Sequence, residues 1–113
     1  AKALEVAVAA GKRHGLTVAT YLHAGDGNIH PNVLFDASNQ RETDHAALAG
    51  KEILKACVDL GGALSGEHGI GVEKQEFLGW SYTNEDQSAM RRVKSAFDPS
   101  GIFNPGKVLP AVN

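Results

Sequence analysis

At 113 residues the chain is long enough for one domain with its own core and too short to expect two. Eleven Lys and Arg against thirteen Asp and Glu leave a formal charge of -2, which excludes the broad basic footprint of a nucleic-acid or anionic-membrane binder. A single cysteine, Cys57, excludes an internal disulfide and falls in an apolar helical pattern where a buried thiol is expected. No apolar run reaches membrane-spanning length, and the N-terminus lacks the basic, apolar and small-residue order of a signal peptide, so the expected location is the cytoplasm.

The chain opens on AKALEVAVAAGKRHG, which reads as mid-helix with no initiator Met and no capping residue. That start leads to the expectation of a piece of a longer protein. Residues 2–14 form the first predicted helix, ending in Lys12, Arg13 and His14, whose charges suit a helix C-terminus, with Gly15 beyond. LTVATYLH (16–23) and IHPNVLF (29–35) are rich in β-formers, and Gly25-Asp26-Gly27-Asn28 supplies the turn of a predicted hairpin. Residues 41–60 space Ala47, Leu48, Ala49, Ile53, Leu54, Cys57, Val58 and Leu60 as a helix, ended by Gly61-Gly62. ALS (63–65) reads as a short strand entering GEHGIG, and VEKQEFLGW as a helical turn or two. Thr83 with Asp86 resembles a capping signature, and Ala89, Met90, Val93, Ala96 and Phe97 continue as a helical stripe to Asp98-Pro99. The Pro- and Gly-punctuated tail is expected to be extended. The predicted class is α+β: an antiparallel hairpin packed with helices.

The hairpin carries two histidines in HAGDGNIHPN. With Gly25 to Asn28 as the loop, His23 would face His30 directly across the strand pair, their Cβ atoms about 4.5–5.5 Å apart. Two imidazoles so placed can converge on a metal at about 2.0–2.1 Å. Alternation puts Asn32 on the face of His30 and Tyr21 on that of His23, opposite Leu22, Val33 and Phe35. The competing reading is a hairpin with two surface histidines, and Pro31, which has no N–H for the ladder, adds an edge strand or a local bulge.

SGEHGIG (65–71) sets Glu67 and His68 side by side among glycines that allow sharp turns or the close approach of a ligand. The competing reading is a plain turn with a solvated glutamate. A phosphate cradle is disfavoured, because no Gly-Lys-Ser/Thr follows and a carboxylate sits inside the loop. Two histidines and one carboxylate are the minimum ligand set of an open metal site, with His68 the spare base beside it. His14, at a helix end, and His45, among charged neighbours, read as surface residues without a role.

HAGDGNIHPN, SGEHGIG and AFDPSGIFNPGKVLP, in that order, resemble the C-terminal part of FAD-linked 2-hydroxy-acid dehydrogenases, the family of the glycolate oxidase D subunit, D-lactate dehydrogenase and D-2-hydroxyglutarate dehydrogenase. The resemblance covers most of the chain. It implies that residues 1–113 form the end of a substrate-side cap domain, an antiparallel sheet with helices, whose FAD-binding domain lies elsewhere. It implies that His23, His30 and Glu67 are ligands of a divalent metal (Zn, Mn or Fe) and that His68 is the catalytic base. Asn32 matches a position that contacts substrate in the hydroxyglutarate enzymes. Asn104 in FNPGK matches the family's return to the flavin, with Lys107 a weaker candidate. The implied reaction oxidises a 2-hydroxy acid such as glycolate or D-lactate. Proton removal from the metal-bound hydroxyl accompanies hydride transfer to FAD. An iron–sulfur or electron-transfer subunit is the implied partner, with a peripheral membrane location through it.

Two readings from other classes stand beside this one. The first is a free-standing metal-binding module or small metallohydrolase using the same ligand set, separated by a flavin requirement. The second is a non-catalytic assembly domain, in which apolar surface meets a second copy. Even under the leading reading, a chain lacking its partner domain is expected to form a homo-oligomer.

Overall fold

The computed structural model describes residues 1–111, which fall into two compact units, 1–62 and 63 onward. The first unit runs α1 (Lys2–Arg13), β1 (Thr17–His23), β2 (Asn28–Leu34) and α2 (Gln40–Asp59). The second holds a 3₁₀ helix (Gln75–Trp80) and α3 (Asn84–Phe97) among loops. The class is α+β, as the sequence predicts.

In the first unit, β1 and β2 pair antiparallel, and one face of the hairpin lies on the two helices. Val18 and Val33, opposite each other, pack with Cys57 against Ala7 and Ala10 of α1 and Ile53 of α2. Burial pushes the Cys57 thiol above its ordinary pKa, consistent with a packing role. Small residues on α1 let the strand come close. A Cβ on Gly11 would lie 2.5 Å from Val18 Cγ2 and 2.9 Å from the Leu16 carbonyl oxygen, so a larger residue here would force the strand or the helix to shift.

The helix ends follow local chemistry. Both α1 and α2 close with Schellman hydrogen bonds: Leu16 N–H to Gly11 O and Gly15 N–H to Lys12 O, then Gly62 N–H to Cys57 O and Gly61 N–H to Val58 O. Asn39 caps α2 by accepting from the N–H groups of Arg41 and Glu42. Thr83 and Asp86 form a full capping box on α3. His14 and His45 have structural partners that local spacing does not predict: His14 Nε2 lies 3.1 Å from Glu52 Oε2, and His45 Nδ1 donates to the His14 carbonyl at 2.9 Å. Arg13 also binds Glu52, and its hydrogen bond holds the Glu52 carboxyl below its usual pKa range. Together these side chains join the end of α1 to α2.

Four expectations change. Residues 63–65 form no strand; Leu64 is buried in a bend. The tail is a run of turns, with Asn104 (φ 45°) and Val108 (φ 65°) in the left-handed region. On α3 the apolar stripe is not a core face, since Val93 is 60% and Phe97 85% exposed, while Gln87 is buried and donates to the Tyr82 carbonyl. The fourth change concerns the hairpin register.

Candidate active site

The hairpin loop is Ala24–Gly27, one residue earlier than expected. The Gly27 N–H donates to the His23 carbonyl at 3.0 Å, Gly27 takes φ 77°, and the Asp26 carboxylate accepts the Asn28 N–H at 2.9 Å. These bonds restart the ladder at Asn28, so His23 pairs with Asn28 and His30 with Tyr21. His23 therefore does not face His30 directly. The displacement along β2 is two residues, which preserves the face. Tyr21, His23, His30 and Asn32 still share one side of the hairpin, and Val18, Leu22, Ile29 and Val33 share the other. Pro31 lies opposite Thr20 in an unbroken register, with no bulge.

A diagonal relation keeps the two imidazoles in contact. Their ring centroids are 5.1 Å apart with planes at 85°, and each offers a nitrogen within 4.8 Å of the other's. Two imidazoles on one tetrahedral ion, each nitrogen about 2.0–2.1 Å from the metal, would have centroids about 5 Å apart. The pair thus fits a shared divalent cation in spacing and in donor chemistry. His30 is half-buried and His23 exposed. Tyr21 stacks on His30, with centroids 4.6 Å apart and planes at 16°. Asn32 spends its amide hydrogens on the sheet, donating to the carbonyls of Ala19 (3.3 Å) and His30 (3.1 Å). What it has left to offer a ligand is its Oδ1 acceptor.

The second unit carries the other candidates. The Gly69 N–H donates to Ser65 Oγ at 2.8 Å, closing SGEHG into a tight loop with Glu67 and His68 at its tip. Gly69 (φ 82°) and Gly71 (φ 56°) take conformations that residues with a Cβ rarely adopt. His68 Nε2 lies 3.7 Å from Glu67 Oε1, and the His68 side chain is 71% exposed. The tail is pinned to this loop. The Val108 N–H donates to the Gly71 carbonyl at 2.7 Å, and Gln75 Nε2 donates to the carbonyls of Leu109 (2.7 Å) and Gly106 (3.2 Å). Asn104 and Lys107 are exposed in that tail. Just before it, the buried Asp98 accepts the N–H groups of Ile102 (2.9 Å) and Phe103 (3.0 Å), and Lys94 bridges Asp98 to the Phe103 carbonyl.

Ser65, Gln75 and Tyr21 are the supporting residues that the motifs alone do not single out. Ser65 had a signal, a hydroxyl four positions before a glycine that needs positive φ. Gln75 had none, because its partners lie more than thirty positions away. Among the described residues, no helix is long and apolar enough to cross a membrane.

Comparison with known proteins now defines the class. The sequence profile of the C-terminal domain of FAD linked oxidases matches residues 1–108. The chain belongs to that family. It is 44% identical over 102 residues to the glycolate oxidase subunit GlcD of Escherichia coli (strain K12), covering 90% of this chain and 20% of that protein. It is 38% identical over 91 residues to the D-2-hydroxyglutarate dehydrogenase of Stutzerimonas stutzeri (strain A1501), covering 79% of this chain and 20% of that one. With the mitochondrial D-lactate dehydrogenase [cytochrome] of Arabidopsis thaliana it shares 35% over 88 residues, or 78% and 16% of the two chains. The chain spans about a fifth of the length of the relatives it matches.

Proposed function

We propose that this chain supplies the metal ligands and the base of a flavin-dependent enzyme oxidising a 2-hydroxy acid, of the glycolate or D-lactate type, to the 2-oxo acid. The observation that carries the reading is the His23–His30 pair, two imidazoles meeting at 5.1 Å on the polar face of one hairpin. The relatives named for glycolate, D-lactate and D-2-hydroxyglutarate chemistry supply the substrate class.

In this reading His23, His30 and Glu67 would hold a divalent ion (Zn, Mn or Fe), a three-ligand set that would leave room for the substrate. Such an ion, when bound, acidifies a coordinated hydroxyl as it does water. His68 Nε2 takes the hydroxyl proton. FAD, when bound, would supply the two-electron acceptor for the α-hydrogen, completing oxidation of the alcohol to the carbonyl. Glycines on either side of Glu67 and His68 let adjacent residues have different duties. Asn32 is the proposed substrate contact on this face; with its amide hydrogens engaged by Ala19 and His30, it offers its Oδ1 to a donor other than the hydroxyl that gives its proton to His68. Asn104 and Lys107, exposed in the tail, would contact the flavin, whose main pocket would be supplied by other residues.

Because the Escherichia coli relative is named as a subunit of glycolate oxidase, we include an electron-accepting partner subunit in the proposal. The test is anaerobic. The intact protein containing these residues, loaded with FAD, is mixed with glycolate, D-lactate and D-2-hydroxyglutarate, and flavin bleaching is followed with and without a chelator. Rapid bleaching by one of these acids, abolished by the chelator and restored by metal, supports the reading; indifference to all three acids refutes it.

A further inference from the structure

His30 contacts two rings. His23 lies nearly perpendicular to it, and Tyr21, directly opposite in the ladder, stacks flat on it with centroids 4.6 Å apart and planes at 16°. Tyr21 contributes nothing to the core beneath the hairpin, since Ala7, Ala10, Ile53, Val18 and Val33 pack on the other face. The tyrosine is itself 60% exposed, an arrangement that core packing does not explain.

The explanation lies in what a flat stack does to an imidazole. A ring nitrogen directs its lone pair in the plane of the ring, so the ring's tilt decides where a bound ion can sit. The terminal torsion of histidine is broad, and an unrestrained ring samples many tilts. An aromatic partner in offset contact narrows that range and covers one face of the ring from water. Ordering a ligand before the ion arrives removes part of the entropic cost of binding. We propose that Tyr21 is a positioning residue that fixes the plane of His30 for coordination of a divalent cation. The proposal rests on the reading of His23 and His30 as ligands. It assigns the effect to the ring, and the tyrosine hydroxyl plays no part.

The test is a titration of this chain with Co²⁺, read by visible absorption and by competition with a chelator, with the His30 ring protons followed by NMR. Tyr21→Phe keeps the stack and should bind within about twofold of the parent. Tyr21→Ala should bind roughly 3- to 10-fold more weakly, the range of an aromatic pair, with the His30 ring signals shifted and broadened before any ion is added. Tyr21→Leu retains a large sheet residue without a π face; it should melt with the parent yet bind as weakly as Tyr21→Ala. If His30→Ala loses Co²⁺ while Tyr21→Ala and Tyr21→Leu bind like the parent, the positioning role is wrong and the metal reading survives. Equal weakening in Tyr21→Phe would assign the effect to the hydroxyl and overturn the proposal. Should His30→Ala bind like the parent, the ligand reading fails and this proposal with it.

Discussion

The Val108 N–H donates to the Gly71 carbonyl at 2.7 Å, so the tail that carries Asn104 and Lys107 is tied to the loop that carries Glu67 and His68. Gln75 reinforces the tie through two further carbonyls, at Leu109 and Gly106. Removing the Gln75 amide should therefore loosen the tail before it unfolds the unit. Gln75→Ala is expected to cost about 1–3 kcal/mol, from two net hydrogen bonds of about 0.5–1.5 kcal/mol each. Denaturant unfolding followed by the fluorescence of Trp80, the one tryptophan, measures the cost. Faster amide exchange at Val108 than in α3 would locate it.

Gly11→Ala sets two effects against each other. Alanine is the better helix former by about 1 kcal/mol, but its Cβ would press on Val18 Cγ2 and the Leu16 carbonyl. Val18 is β-branched and held in the ladder, so it cannot swing away cheaply. Overpacking of this kind costs about 1–3 kcal/mol, and the expected result is a net loss of stability, measured as a lowered urea midpoint with an unchanged slope. A stabilised variant would mean that α1 and β1 do not approach as closely as described.

Asp98 gives the second unit an acid-labile point. Lys94 first, then the N–H groups of Ile102 and Phe103, hold its carboxyl below the usual range against the opposing effect of burial. A depressed folded-state pKa contributes stability that is complete above the unfolded value, near 3.9, and is lost as pH falls through the folded value. Asp98→Asn should lower the melting temperature at neutral pH by several degrees and flatten its dependence on pH below about 4. A melting temperature that falls in acid as steeply in the variant as in the parent would assign the acid sensitivity to other groups.

Helix positions were legible because their signals are local. Gly15, Gly61-Gly62 and the Thr83–Asp86 pair lie next to the ends they mark. The hairpin was legible for the same reason, but its register was decided by the side chain of Asp26 and the conformation of Gly27, which moved the loop back one residue. The shared face of His23 and His30 survived, because a two-residue displacement keeps the alternation. Where partners are distant in sequence, local patterns were silent. Glu52, which binds His14, is 38 positions from it. Periodicity identified the apolar stripe of α3, yet Val93 and Phe97 lie exposed, since spacing reports a face and not what covers it.

In the intact protein the proposed base and the proposed ligands should separate kinetically. His68→Ala should slow flavin reduction by roughly 10²- to 10⁴-fold, the usual contribution of a positioned base, with substrate affinity largely kept. Stopped-flow reduction at several substrate concentrations distinguishes this from a loss of binding, which would raise the half-saturating concentration and leave the limiting rate intact.

Metal analysis across four alanine variants of the intact, flavin-loaded protein is the most direct test of the proposed division of roles. His23→Ala, His30→Ala and Glu67→Ala should each lose the divalent ion and activity together, since each removes one of the three proposed protein ligands. His68→Ala should keep the ion at the parent's stoichiometry while remaining slow. If His68→Ala loses metal as completely as Glu67→Ala, or if the parent protein oxidises its 2-hydroxy acid at full rate without any divalent ion, the account is wrong.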